Sequence, residues 1–377
     1  MALAQNAPST AALPASGAAT TTRLVALDAF RGLTVVLMLL VNNTAVGRFT
    51  PPQLMHAPWG GGVRIADLVF PWFLFCAGVA IPYSLAAARR GGLVGWPLYR
   101  KLLVRTLWLF LLGCLEVSAV ERAPILGLGV LQLIGLAFLV GAFAYPLSVR
   151  ARALLAAGLL LAYGLAFELL PVPGWGAGLF TEDRNIVVYL NTTYLSPLGL
   201  RGLPSVVPTG ALMILASIVG DALRSPWPAA RKALALFMVG GVLALAGLAW
   251  NETLEFNKPV WTPSYILLSG GLGTLGILAF YLLADASRRT RWTFPLIVYG
   301  SNALLAYVAP ILVKVWVLQG WTVAQGGRRL SIQDALLGSA RHAFGNVGGG
   351  WVYTGGYILI WGLVLYVLYR KRIFLKV

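Results

Sequence analysis

The sequence predicts an all-α fold, a polytopic integral membrane bundle of about ten transmembrane helices with both termini cytoplasmic. Three observations carry this. Hydrophobic residues fill 59% of the 377 positions and charged residues 11%, against roughly 25% charged in soluble domains. The apolar residues fall into runs of about 20, the length a helix needs to cross a bilayer, rather than alternating strands of about 10 as in a barrel. Lipid offers no partners to backbone groups, so such runs must satisfy their own hydrogen bonds as helices. Finally, the net charge of +17 sits in short basic clusters between the runs, as topology signals do. It does not line one polar face, which argues against nucleic acid as a partner.

Taken in order, residues 1–22 are rich in Ala, Ser, Thr and Pro and carry no charge before Arg23. They lack the basic-then-apolar pattern of a signal peptide and are expected to form a disordered cytoplasmic tail. Residues 23–377 are expected to form one transmembrane domain. Its apolar runs are 27–46, 64–87, 101–119, 124–146, 152–170, 206–223, 229–250, 264–284, 294–318 and 351–369. The longer connections are 171–204, with the polar runs TEDRN and LNTTY, and 319–349, with an amphipathic piece at about 331–345. Seventeen basic residues flank the runs on the side of the two termini and nine lie opposite. The positive-inside rule then puts both termini in the cytoplasm and the loop joining the first two runs outside. Cys76 and Cys114 each lie inside an apolar run, with no CxxC or metal-ligand spacing. They read as small buried hydrophobes, and no metal is expected.

The chemistry concentrates in Asn42–Pro71, NNTAVGRFTPPQLMHAPWGGGVRIADLVFP, which holds one of the chain's two histidines. Imidazole changes charge near neutral pH, which suits a general base or a transient acyl acceptor. Trp59 can cover the His56 ring, and Gly60 to Gly62 let backbone approach a ligand. Asp67 can orient the imidazole or cap the helix that starts there, and the cap is the favoured reading. In the first run, Asp28 and Arg31 share a helix face. Arg31 either closes an ion pair with Asp28 or turns inward to an anionic cofactor group. Asn42 lies eleven residues beyond Arg31, roughly 16 Å along a helix and so within the bilayer. Asn42 and Asn43 are then either interhelical hydrogen-bonding groups or amide donors to a carbonyl that gains negative charge during acyl transfer. Arg105 can meet an anionic group inside the bundle or snorkel to the interface. Gln132 and Asn302 are pocket candidates, Lys258 with Trp261 stands on the outer side where an acceptor would arrive, Lys314 has no assigned role, and His342 reads as surface.

The blocks RLVALDAFRGLTVVLMLLVNN, HAPW and DLVFPWFLFCAGVAIPYS resemble the heparan-α-glucosaminide N-acetyltransferase family and its bacterial relatives. GVLQLIGLAFLV at 129–140, LPSVVPTGALMILASIVGD at 203–221, NKPVWTPSYILL at 257–268 and YGSNALLAYV at 299–308 follow in matching order. The resemblance implies an enzyme that takes acetyl from cytoplasmic acetyl-CoA and passes it to an amino sugar or glycan across the bilayer. It carries the family's active histidine onto His56 and the asparagine ending the first span onto Asn42. Arg31, Arg105, Gln132 and Asn302 are then expected to bind the cofactor, and Trp59, Asn43 and Lys258 the acceptor. The chain departs from the family at Gly60, in the missing threonine shortly after it, in the longer spacing to Asp67, and at Leu133, where the family often has arginine. The expected location is a bacterial inner membrane, with a homodimer left open. The rival class is a transporter or flippase of an envelope precursor; the carboxylates near span ends rather than at midplane weigh against it.

Overall fold

The computed structural model describes residues 24–325 and 327–375. The expected N-terminal tail, and the Arg23 and Lys376 charges counted toward topology, lie outside the described residues. The fold is an all-α polytopic membrane bundle. Every one of the ten apolar runs is helical, but they are not ten equal spans. Among the described residues, eight helical stretches are long and apolar enough to cross a bilayer, a ninth run is broken, and one helix is short.

The first span is α1 (Val25–Asn43). Its opening amides lack intrahelical acceptors, and the Asp285 carboxylate takes two of them, Val25 N at 3.1 Å and Ala26 N at 2.7 Å. At the other end, Lys314 Nζ donates to the Asn42 carbonyl at 2.9 Å. A cation on the last-turn carbonyls of a helix is favourable, so the lysine unassigned in sequence serves as a cap. The second span is α2 (Ile65–Val79) followed, after a break at Ala80, by α3 (Ile81–Arg90). Next come α4 (Trp96–Glu121), α5 (Val130–Ala144) and α6 (Val149–Leu169). With 15 residues, α5 is about 22 Å long, short of a hydrocarbon core of about 30 Å. The irregular segment 124–129 runs into it. Such backbone survives at membrane depth only where it lines a cavity or is buried in protein, and Gly127, Leu128 and Gly129 do line cavities.

The connection 171–204 folds over the His56 end of the bundle and contains the short helix α7 (Ile186–Leu190), continued by further helical turns. Phe180 and Val187 there pack with Trp59, Tyr163 and Phe167. The remaining spans are α8 (Val206–Arg224), α9 (Ala229–Asn251) and α10 (Pro263–Phe280). α8 sits at the centre, packed on α2, α5 and α6, while α9 lies outside against α10. The outer faces of α4 and α9 expose Leu107, Trp108, Leu115, Phe237, Val242 and Leu245, the apolar surface that lipid covers. Arg152, counted in sequence among the cytoplasmic loop charges, is buried, paired with Asp221 and bonded to Ser217 Oγ at 2.7 Å. It therefore ties α6 to α8 rather than reporting topology.

The ninth run is two helices, α11 (Phe294–Ser301) and α12 (Ala303–Val313), bent by 62° at Asn302. α11 crosses α1 backbone to backbone: a Cβ on Gly32 would lie 1.8 Å from the Leu296 carbonyl oxygen, and one on Gly300 2.4 Å from that of Asp28. The connection beyond holds an antiparallel hairpin of β1 (Thr322–Gln325) and β2 (Arg328–Ser331), paired Thr322 to Ser331. The expected amphipathic piece and the last run are one helical stretch, α13 (Ile332–Arg370), turned at Gly345, whose φ of 74° breaks the helix. Val25 and Ala26 bond Asp285, and Leu375 lines a cavity with Arg31. Both described chain ends therefore lie at one end of the bundle.

Candidate active site

His56 sits in the loop between α1 and α2, and α2 itself positions its partner. The first-turn residue Asp67 is 3% exposed in its side chain. Its Oδ2 accepts from the Arg64 amide and the Ala57 amide, each at 3.1 Å, which caps the helix as the sequence suggested. Its Oδ1 lies 2.8 Å from His56 Nδ1. A carboxylate only accepts, so Nδ1 carries the proton and Nε2 holds the free lone pair. Capping and orienting, read in sequence as alternatives, are done by one carboxylate through its two oxygens. Tyr265, fully buried in α10, donates to the Asp67 carbonyl at 2.5 Å, and Arg64 donates to the His56 carbonyl at 3.3 Å. Gly60 and Gly62, with φ of 71° and 73°, turn the chain back from Trp59 toward Arg64.

The third member comes from the connection between α9 and α10. Lys258 Nζ lies 3.0 Å from His56 Nδ1, 3.3 Å from Nε2 and 3.7 Å from Asp67 Oδ1. Burial pushes the Lys258 ammonium below its ordinary value of 10.5, opposed by the Asp67 charge. The turn that carries it is closed by Trp261 N donating to the Lys258 carbonyl at 3.1 Å. Trp261 adopts φ 54°, a conformation that costs a bulky residue about 1–3 kcal/mol and persists only where its surroundings enforce it. Buried Asn257 and Thr262 do so: Asn257 Oδ1 accepts from Val260 N at 3.2 Å, and Thr262 Oγ1 accepts from Asn257 N at 3.0 Å. The Trp261 ring packs on Phe70 and Tyr265, at 5.4 and 5.8 Å between centroids.

His56, Asp67 and Lys258 open into a cavity of about 450 Å³ walled by Phe70, Val130, Leu133 and Trp261. Leu133 makes this wall apolar at the position where arginine was noted as common. A second cavity of about 780 Å³ shares Leu128, Gly129, Gly202, Ser205 and Pro259 with it and adds Trp59, Glu182, Asp183 and Arg201. At the end of the bundle that carries the chain ends, Arg31, Lys101 and Arg105 line a third cavity of about 660 Å³. The Arg105 guanidinium stacks over Phe138 at 4.5 Å, and its buried Nε has no hydrogen-bond partner. Arg31 keeps Asp28 at 3.5 Å, so it is both ion-paired and cavity-lining. Leu131 and Ile134 of α5 face this cavity, while Val130 and Leu133 face the His56 cavity, so α5 forms a wall of both.

Other expected residues fall elsewhere. Asn42 does not line the His56 cavity; it lines a cavity of about 380 Å³ with Lys314 and Tyr307, because the end of α1 packs toward α12. Asn43 is buried and bonds back to Leu39 O at 2.8 Å. Trp59 does not cover His56 but packs on Phe180 at 5.0 Å. Gln132 is buried, donates to Gly127 O at 3.0 Å, and holds the segment that enters α5. Asn302 holds the end of the described chain, donating to Ile373 O and accepting from Leu375 N, both at 2.8 Å. Sequence reasoning missed Tyr265 and favoured the cap over the His56–Asp67 pairing that the structure shows beside it. Tyr265 stands in the quoted 257–268 block, but only tertiary structure brings it under Asp67.

Residues 23–206 match the family model described as heparan-alpha-glucosaminide N-acetyltransferase, catalytic, a region that includes His56 and Asp67 and stops short of Lys258. The human heparan-alpha-glucosaminide N-acetyltransferase is 25% identical over 432 residues, covering 94% of this chain and 60% of that protein. The mouse protein of the same name is 24% identical over 435 residues, with the same coverage. The chain thus spans 60% of the length of these curated relatives.

Proposed function

We propose, from its similarity to the heparan-alpha-glucosaminide N-acetyltransferases and from the geometry of its cavities, that the chain is a transmembrane acetyltransferase. It takes acetyl from cytoplasmic acetyl-CoA and delivers it to an amino sugar or glycan on the outer side. The observation that carries the reading is the pair of cavities meeting at α5, one lined by cations and the other by the Asp67–His56 pair.

The cationic cavity fits a phosphate-bearing donor. The buried and unpartnered Arg105 Nε is the kind of group a phosphate would satisfy, and arginine binds phosphate through a planar fork. Arg31 and Lys101 add charge beside it. The acyl end of the donor then reaches toward His56 past α5. Asp67 fixes the imidazole with Nε2 as its free nitrogen, the arrangement a general base or nucleophile requires. Two routes are open to Nε2. It takes a proton from the acceptor as the acceptor attacks the thioester, or it takes the acetyl group and passes it on. An acetyl-imidazole trapped in protein mixed with acetyl-CoA alone marks the second route. The cavity with Glu182, Asp183 and Trp59 beside His56 suits a sugar that carries an ammonium group.

The test is turnover of acetyl-CoA by purified protein supplied with glucosamine-type acceptors. Arg105→Gln is expected to raise KM for acetyl-CoA by about 10-fold or more, the worth of one charged hydrogen bond, with a smaller change in kcat. Absence of turnover with every amino-sugar and glycan acceptor contradicts the reading. Turnover with an unchanged KM in Arg105→Gln removes the cationic cavity from it.

A further inference from the structure

Resting on the acetyl-transfer reading, we propose that Lys258 is a catalytic residue: its ammonium group holds the negative charge that develops on the thioester carbonyl oxygen. Three observations carry this. First, the contacts point to the imidazole rather than to an ordinary ion pair. Nζ is 3.0 and 3.3 Å from the two ring nitrogens and 3.7 Å from the Asp67 carboxylate. Nζ is nearly equidistant from the two nitrogens, so it lies against the ring and leaves the outward lone pair of Nε2, the reacting nitrogen, open. A carbonyl brought up to Nε2 therefore lies within reach of the same ammonium. Second, the position is built. Lys258 heads a turn closed by Trp261 N and held by the buried side chains Asn257 and Thr262. A donor fixed before the reaction stabilises developing charge without reorganising, which is where most electrostatic catalysis comes from. Third, the charge has the wrong sign for holding an acceptor. An amino sugar arrives as an ammonium, which Lys258 repels, whereas a carbonyl oxygen turning anionic is what a cation in a mostly apolar cavity favours. The amide expected to do this work, Asn42, stands in another cavity.

The step balances with either nucleophile. The acceptor nitrogen, or Nε2 itself, forms a bond to the carbonyl carbon, and the carbonyl π pair moves onto oxygen. Lys258, beside the ring, donates to that oxygen. The pair then returns, the carbon–sulfur bond breaks, and coenzyme A leaves as thiolate. In direct transfer the acceptor ammonium first gives one proton to solvent; Nε2 takes the second as the amine attacks, and the thiolate receives it. On the acyl-imidazole route the thiolate is protonated by solvent. The charged groups that face Nζ are His56 and Asp67; Glu255 lies on the same connection, and Arg64 bonds the His56 carbonyl.

Steady-state kinetics of Lys258→Gln and Lys258→Arg across pH test the assignment. Loss of an oxyanion donor lowers kcat by about 10²–10³-fold, so Lys258→Gln is expected to fall in that range with KM for acetyl-CoA changed less than about threefold. The wild type is expected to lose activity as pH rises through the Lys258 value, which burial sets below the ordinary 10.5. Lys258→Arg, charged throughout, is expected to retain more activity than Lys258→Gln and to move that alkaline limb upward. A merely structural role gives no such movement. Full activity in Lys258→Gln, a loss confined to KM, or an alkaline limb unmoved in Lys258→Arg overturns the assignment while leaving acetyl transfer standing. A wild type that transfers no acetyl overturns the reading beneath it.

Discussion

Replacing His56 with alanine is expected to lower kcat for acetyl transfer by at least about 10³-fold, the combined worth of a positioned base or nucleophile. The expectation rests on geometry more than on the residue type. The other histidine, His342, lies in the part of α13 before Gly345 and is exposed, and it is not among the residues that line the His56 cavity. His56 side-chain exposure is 55%, so truncation leaves no packed void and the variant is expected to melt near the wild type. Loss of activity with an unchanged melting curve is therefore the expected pair of results. Rescue by added imidazole would strengthen it. Undiminished turnover in His56→Ala would remove the chemistry from this loop.

The second large effect is expected at Asp67. Asp67→Asn keeps the volume and changes what each terminal atom can do. The new amide nitrogen must face either the His56 ring or the Ala57 and Arg64 amides, all of which met an acceptor before. If it faces the ring, His56 is held in the wrong tautomer, a change worth up to about 10⁴-fold in kcat where a triad carboxylate is replaced this way. If it faces the amides, the helix loses a charged cap, about 0.5–2 kcal/mol. The expected outcome is a kcat lowered by about 10²- to 10⁴-fold together with a lower melting temperature, read from kinetics and thermal unfolding of the same preparation. A lower melting temperature with full kcat would show that Asp67 only caps α2.

The legible part of the fold was the part governed by local composition. All ten apolar runs are helices, because lipid leaves the backbone no other partner. What remained hidden depends on neighbours. α5 can be short because Ile125 and Gly127 to Gly129, which lead into it, line a cavity. α11 and α12 bend at Asn302, whose side chain bonds residues some seventy positions later, and no window along the sequence contains both. Arg152 looked like a topology charge because its partners Ser217 and Asp221 belong to another helix. The site divides in the same way. His56 and Asp67 are eleven residues apart and could be weighed together, although the cap was favoured over the pairing. Lys258 was legible as a loop cation but not as a neighbour of the imidazole, since 202 residues separate them. Asn42 was placed by helix arithmetic, which gives depth along α1 but not the direction the residue faces.

The central claim is transfer across the bilayer from the Arg105 cavity to the His56 cavity. Proteoliposomes with acetyl-CoA supplied only on the Arg105 side and a glucosamine acceptor enclosed only on the other test it most directly. The account predicts that acetylated acceptor accumulates on the far side, that coenzyme A appears on the near side in equal amount, and that His56→Ala produces neither. Acetylation only when donor and acceptor share one compartment would contradict it.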